Sequence, residues 1–583
     1  MLQAPGVASQ MQPPNEAIRY CLDSCGITLD DLASVTANMP GYDFAPAIMR
    51  NILPIEVADK VLSIPSHHLA HAYSAYWPSG FDQALVLVAD ATGTTSSKYR
   101  TESYTLYEGN GPTLTTLHSE TVAAHLAGLS TLGFVYEYVT RKAGFVTKLG
   151  NTNISHAEAG KLMGLAPFGG EQANFHPWLN PVENSYSLSI SPYDIFLEVA
   201  ALEKTYDTGD GKSYLRPYLV DLAYKIQDEL EKALKHIVQV AMEKTGLKKL
   251  CIAGGVGLNS VANYKLFNDL GLEDIFVFPA AGDSGIAAGA ALWAYAHQGG
   301  RYRPTLTQAT LGRAYDSSHI DRAVQQFGEL IEVEELTPAK MVERTAQALA
   351  GGHIVARFEG GSEYGPRALG HRSIMVDPIF QRMRDVVNAR VKFREAFRPF
   401  APVIPLDNVD EVFELDGSSP FMLMVAPIKP EVQALIPAVT HVDGTGRIQT
   451  VTEPENPYFY QLCRCLVELR QGPPVLLNTS FNIAGQPIVE TPTEAIQTFL
   501  DTDIDYLAVE NVWISKRPVR VQTYEEHLSK VGNTTVPHGL PPHQPALTPL
   551  MATLDRALFF GDRHNCPWTD AELRQLSAFG ARY

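Results

Sequence analysis

KKLCIAGGVGLNSVANYKLF, residues 248–267, decides the fold class. A short apolar run, a glycine-rich turn and the start of a helix follow one another in it. Strand, glycine loop and helix N-terminus form a recurring anion cradle, because unpaired backbone N–H groups converge there. The scheme returns in IFVFPAAGDSGIAAGAALWAY (275–295), with Asp283 at the turn and a helix of small residues that can pack closely. Upstream, ALVLVAD (84–90) reads as a buried strand ending in an acid. Residues 218–246 read as a long amphipathic helix, with Leu219, Leu222, Ile226, Leu230 and Leu234 three or four apart on one face and Gly246 as its stop. The first half is therefore α/β.

A chain of 583 residues exceeds one hydrophobic core, so two or more domains are expected. A polar, Gly/Pro-rich stretch around 298–315 marks a boundary. The expected division is 1–315, a second α/β or α+β unit over 335–530, and a tail over 531–583 carrying a last helical segment at 551–581. Hydrophobic residues make up 45% and charged residues 19%, as in an ordinary soluble protein. No apolar run of ~20 residues and no secretion signal is seen, so no membrane partner and a cytoplasmic location are expected. None of the six cysteines forms a CxxC pair, which argues against a zinc ribbon. The formal charge of −18 disfavours nucleic acid as a partner, and basic clusters stand out as sites for small anions.

Several stretches carry side chains suited to chemistry. In SHHLAHAYSAYW (66–77), His67 and His71 are four apart, so on a helix both rings reach one ion. The spacing alone equally describes packed or capping histidines, and a two-histidine site needs a carboxylate. Asp283, at the tip of a strand-to-helix turn, is a third ligand or a helix N-cap. GGVGLN (254–259) admits a phosphate close to backbone or makes a tight turn. Asp90 is followed by a polar loop that can hold a metal–phosphate group or activate a hydroxyl. In the second half Arg367, Arg372, Lys392, Arg394, Arg398 and Arg447 sit in turn-like strings beside Gly, Pro and small residues, as side chains aimed into a pocket do. Guanidinium groups bind phosphate and carboxylate bidentately. Clustered cations would repel by roughly 1 kcal/mol or more per pair unless an anion lay between them. LLNTSFN (476–482) adds Thr479, Ser480 and Asn482 as hydroxyl and amide donors.

Taken together, HHLAHAYSAYWPSG, VADATG, AEAGKLMGLAPFG, GGVGLNS, GDSGIAAGAA, EYGPRALGHRSIMVDP, VKFREAFRPFAP and PVLLNTSFNIAGQPIVETPTEAI resemble the O-carbamoyltransferase family of nodulation and antibiotic-tailoring enzymes. The resemblance implies an ASKHA (actin/hexokinase-like) N-terminal domain and a YrdC-like α/β C-terminal domain. It implies that His67, His71 and Asp283 hold a divalent metal, iron by family habit, with Asp90 beside the acceptor and Gly254, Gly255 and Asn259 on a nucleotide. It implies that Arg367, Lys392, Arg398, Met422, Arg447 and Ser480 form the pocket for carbamoyl phosphate and ATP, the latter with Mg. The reaction would form carbamoyl-adenylate, then transfer the carbamoyl group to a hydroxyl of a small natural-product acceptor, whose pocket is expected from loops in 100–150 and 170–215. Asp90, Lys392, Arg398 and Ser480 would be catalytic, and a homodimer is the family expectation.

Two departures accompany the resemblance. The counterpart of the family's first strands and one phosphate loop is expected to be missing ahead of Ala17, through a misassigned start or as an impaired, truncated homologue acting as a binding protein. Ala91 also stands where a glycine is usual. A competing enzyme reading is threonylcarbamoyl transfer to tRNA.

Overall fold

Three apolar runs of the first half pair as parallel strands. Lys249–Ala253 lies between Gln83–Ala89 and Asp274–Val277, with Leu250 opposite Leu85 and Ile252 opposite Val277. In Gln83–Ala89 and Lys249–Ala253 nearly every side chain is buried, on both faces, which is why these two read as continuous apolar stretches rather than alternating ones. Parallel pairing sends all three C-terminal ends to one edge of the sheet. Asp90, the Gly254–Gly255 turn and the loop leading to Asp283 follow those ends, so the topology itself assembles them. Arg100–Asn110 and Thr113–Ala123 complete the five-stranded sheet as antiparallel neighbours.

The computed structural model describes residues 15–38, 60–96, 98–148, 155–172, 175–206, 217–395, 397–517 and 524–531. The expected tail to 549 and the helical segment at 551–581 lie outside them, as do 207–216. The described residues fall into two compact units, the first ending at Leu306 and the second opening at Thr307. Both are mixtures of helix and sheet, so the chain is α/β in class. Among the described residues no helix is long and apolar enough to cross a membrane.

The expectation that 100–150 is loop is corrected. Residues 100–123 are a long hairpin whose turn is Gly111–Pro112, with Asn110 facing Thr113 and Gly111 at φ +54°. Threonine and tyrosine suit a pleated surface, and Asn-Gly between two such runs is a strong hairpin signal. A helix, Leu132–Lys142, follows. Within 170–215, the short strands Leu179–Pro181 and Leu188–Ile190 and the helix Pro192–Tyr206 replace loop.

The histidine helix, His67–Tyr76, crosses the small-residue helix Ile286–His297 closely. A Cβ at Gly289 would collide with the carbonyl of Ala70, so only glycine permits this approach. The crossing brings the N-terminal turn of one helix to the turn that carries Asp283.

In the second unit a nine-stranded mixed sheet runs Ile331–Glu335, Val512–Lys516, Tyr506–Val509, Val355–Phe358, Arg372–Val376, Leu476–Ser480, Ala401–Pro405, Thr445–Val451, Met424–Pro427. The helices Pro338–Ala350 and Pro457–Arg470 pack together over it, burying Met341, Leu349, Phe459, Leu462 and Leu466 against Val355, Met375, Val403 and Leu476. Ser317–Phe327, a helix between the expected domains, belongs to this second unit.

Gly289→Ala should lower unfolding stability by roughly 1–3 kcal/mol, the cost of overpacking a fixed contact. Gly160→Ala, also helical but with open space at its Cβ, should be neutral or gain about 0.4–1 kcal/mol. Denaturant midpoints of the two variants measure this contrast, and equal effects would refute the role given to Gly289.

Candidate functional site

Ser66 caps the histidine helix by accepting from the Leu69 N–H, so His67 opens the first turn and His71 follows one turn later. Their Nε2 atoms stand 3.1 Å apart. Oδ2 of Asp90 lies 3.3 Å from His67 Nε2 and 3.1 Å from His71 Nε2. Oδ1 of Asp283 lies 3.4 and 3.6 Å from the same two nitrogens. One donor atom from each of the four residues falls within 4.8 Å of every other. Ligand atoms bound at about 2.0–2.2 Å stand roughly 3.0–3.5 Å apart around a tetrahedral or octahedral ion, so donor set and spacing fit a divalent metal. His71 is fully buried whereas the Asp283 side chain is 69% exposed, which opens the cluster on one side.

Oδ2 of Asp90 thus faces the two imidazoles together with Asp283, and the expected metal set His67, His71 and Asp283 has a fourth side chain within reach. Asp90 Oδ1 accepts from the N–H groups of Ala91, 2.8 Å, and Gly255, 3.1 Å, leaving Oδ2 for the cluster. Burial would raise its pKa, but the hydrogen bonds and charge of the two imidazoles hold the carboxyl well below its usual range. Burial would depress His67, yet the hydrogen bonds to Asp283 and Asp90 lift it to about 9. The same balance raises His71, and Asp283 is lowered to about 2 chiefly by its bonds to both histidines.

The glycine turn plays a different part from the expected anion cradle. Gly254 adopts φ +89°, and a Cβ there would strike the carbonyl of Ala89. Its N–H donates to Ala281 and that of Gly255 to Asp90, so both donors are spent on closing the cluster. Asn259, expected on a nucleotide, faces the interior. It caps the helix Ser260–Asp269 and exchanges both amide bonds with Gln227, at 2.9 and 3.1 Å. His68 is buried, bonds Thr105 through Nδ1 at 2.8 Å, and burial lowers it to about 3, so its ring is neutral.

Sequence reasoning passed over two residues of this unit. Glu102 ties the helix cap to the loop after Asp90, accepting from the Ser66 hydroxyl and from the Thr94 N–H, each at 2.8 Å. Asn38, after the short strand Val35–Ala37, places its Nδ2 at 3.1 Å from His67 Nδ1. Neither lies in a periodic or glycine-rich string.

In the second unit the electrostatics bring five cations into one group. Burial lowers Arg367 to about 10, with Arg398 adding to the effect. Burial also drives Lys392, Arg394 and Arg447 well below their usual values. Arg394 and Arg398 weigh on Lys392, Arg398 and Arg367 on Arg394, and all three neighbouring arginines on Arg447. Glu395, 3.4 Å from Arg398, offsets only part of this charge. The Nε atoms of Arg367 and Arg447 are buried without a hydrogen-bond partner.

Lys392 ends the π-helical turn Asn388–Lys392, a form found often at functional sites. Its ammonium donates to Ser480 O at 2.8 Å, Ser480 Oγ at 3.1 Å, Asn482 O at 3.0 Å and Asn482 Oδ1 at 2.6 Å. The Ser480 hydroxyl donates to Asn482 Oδ1, 2.7 Å, and the Asn482 amide donates to Gln486 O, 2.7 Å. Ser480 and Asn482 therefore hold the lysine instead of offering free donors, as was expected of them. Arg394, read in the sequence as one of the cations aimed into a pocket, donates to Asn388 Oδ1 and Pro399 O and lies over the Phe400 ring. Arg372 stands outside the basin: its guanidinium covers the Phe358 ring at 3.6 Å and donates to the carbonyls of Glu359, Gly360 and His371. Met422 is buried with φ +57°, two residues before the strand that pairs Val425 with Arg447.

Because the cluster imidazoles are raised above 6.5, a metal must displace their protons at neutral pH. Binding at pH 7 should release roughly one to two protons, and affinity should fall as pH drops and level off above about 9. Titration calorimetry in buffers of different ionisation enthalpy measures this, and heats independent of buffer would contradict it.

The chain matches the carbamoyltransferase N-terminus over residues 18–292 and the carbamoyltransferase C-terminus over residues 346–516. It is 34% identical over 539 residues to nodulation protein NolNO of Sinorhizobium fredii, across 86% of this chain and 75% of that one. It is 33% identical over 274 residues to the 3'-hydroxymethylcephem-O-carbamoyltransferase of Amycolatopsis lactamdurans, across 46% of this chain and 49% of that one. Among solved structures, full-length HypF in its phosphate- and nucleotide-bound form aligns over 49% of each chain at 15% identity, with a TM-score of 0.31. The two family matches cover most of the chain, one in each unit, and the chain belongs to the carbamoyltransferase family.

Proposed function

We propose that this carbamoyltransferase is ATP-dependent. In this reading the second unit makes carbamoyl-adenylate from carbamoyl phosphate and ATP, and the first transfers the carbamoyl group to a hydroxyl of a small acceptor. The observation that supports it best is the group of five partly compensated cations, Arg367, Lys392, Arg394, Arg398 and Arg447. Water first cleaves carbamoyl phosphate to carbamate and inorganic phosphate. A carbamate oxygen then attacks the α-phosphorus of ATP as the bond to the β-phosphate oxygen breaks, and pyrophosphate leaves. Charge grows on transferring and departing phosphoryl oxygens at both steps, and preorganised guanidinium and ammonium groups stabilise it without reorganising. Lys392 is fixed for this by Ser480 and Asn482.

In the first unit the acceptor oxygen attacks the carbamoyl carbon, AMP departs, and the hydroxyl proton passes to solvent or to the leaving phosphate. His67, His71, Asp90 and Asp283 would hold a divalent ion such as Fe, Mn or Zn, which when bound polarises a carbonyl as a Lewis acid. Exposed Asp283 leaves that side of the cluster accessible to a substrate. The relative that carbamoylates a 3'-hydroxymethylcephem supports a hydroxylated small molecule as acceptor.

Pyrophosphate release from ATP and carbamoyl phosphate tests the first stage. Arg447→Ala and Lys392→Met should each slow it by roughly 100- to 1,000-fold, as removal of one preorganised charge-stabilising donor does. His71→Ala should abolish formation of the carbamoylated acceptor, followed by mass spectrometry over a panel of hydroxylated compounds, while pyrophosphate release persists. A folded wild-type protein that releases no pyrophosphate would sink the reading.

A further inference from the structure

Asn38 touches the cluster from outside it. It follows the strand Val35–Ala37, which pairs in parallel with Val61–Ser63 immediately before the histidine helix. That pairing continues through the Ile64 N–H to Ala37 O bond at 3.1 Å, so the segment carrying Asn38 is held to the start of the helix by backbone. Its amide meets His67 Nδ1 at 3.1 Å, while its own Oδ1 is buried without a hydrogen-bond partner. The oxygen and nitrogen of an amide are told apart by their bonding, and a half-turn about the Cβ–Cγ bond exchanges them and puts the oxygen on the ring nitrogen. The imidazole Nδ1–H then has an acceptor, and the Nε2 lone pair is left facing His71, Asp90 and Asp283.

We propose that Asn38 is a positioning residue of the metal cluster: its Oδ1 accepts the Nδ1–H of His67 and fixes the tautomer and ring orientation in which Nε2 can ligate. The inference rests on the metal reading of the four-residue cluster. An imidazole ligand commonly donates its second N–H to a carboxylate or carbonyl, which raises its basicity and locks its plane. Among the described residues, Asn38 is the side chain that bonds His67 Nδ1. Glu102 acts elsewhere, on Ser66 and Thr94, and sets the helix cap.

The required property is an acceptor at that position, and two substitutions separate it from mere bulk. Asn38→Leu keeps size and removes the acceptor; Asn38→Asp keeps size and acceptor, and replaces the donor with a second acceptor oxygen that carries negative charge. Mn2+ titrated into the full chain at fixed pH, followed by calorimetry, should bind Asn38→Leu roughly 10- to 100-fold more weakly than wild type. Asn38→Asp should bind within a few-fold of wild type or more tightly. Thermal melting of both variants without metal shows whether the fold survives. The proposal is overturned if Asn38→Leu binds Mn2+ like wild type, or if Asn38→Asp is as weak as Asn38→Leu. Failure of wild type itself to bind Mn2+ or Fe2+ would instead remove the metal reading beneath it.

Discussion

The carboxylate of Asp90 is anchored through one oxygen and offered through the other, and the first unit is arranged around that division. Ala91 and Gly255 hold Oδ1, and the imidazoles face Oδ2. Anchoring works because a strand end and a glycine turn lie side by side, which parallel pairing of Gln83–Ala89 with Lys249–Ala253 enforces. The approach is tight enough that Gly254 has no room for a Cβ beside Ala89. Backbone thus fixes one carboxylate to a sheet edge, and the Gly289 crossing delivers the histidine helix to it. A site held on rigid elements in this way needs little rearrangement to take an ion.

The second unit solves an opposite problem. There the difficulty is to hold several like charges together without losing the fold. Backbone carbonyls and amide oxygens do most of this: Lys392 rests on Ser480 and Asn482, and Arg394 on Asn388 and Pro399. These neutral acceptors orient the cations and leave their charge standing. A carboxylate partner for each would have cancelled that charge; the depressed values of Arg367, Lys392, Arg394 and Arg447 come first from burial and then from the neighbouring arginines.

What could be read in the sequence follows from how far each signal reaches along the chain. Strands and the long helix were legible because periodicity and apolar runs are local, and the observed Pro217–Thr245 and Gln83–Ala89 differ from the expected bounds by one residue. HxxxH on one helix face and acids at parallel strand ends are likewise local patterns whose meeting is imposed by topology. Asn38 carries no such mark: it acts through a single contact with His67, 29 residues away, from a three-residue strand. Arg372 illustrates the reverse failure, since its string resembles those of the basin arginines. Only the placement of the Phe358 ring and three carbonyls directs it inward. The donors of the glycine turn were misjudged for a related reason, because composition shows which N–H groups exist and not which carbonyls claim them.

Charge and burial together favour small anions over polymeric ones. The chain carries a formal charge of −18, which repels a polyphosphate backbone at long range. Binding such a polymer draws on many exposed cations and the release of their counterions. Lys392 is almost wholly buried, and the depressed values of its neighbours share that cause. An anion that reaches them must shed its water and fit within the protein, as a compact phosphate or carbamate can and a duplex cannot. Within a few ångströms the local field of the basin overrides the global repulsion, which the salt of solution screens over about 8–10 Å in any case. Selectivity for size thus follows from placing the positive charge inside an otherwise negative protein.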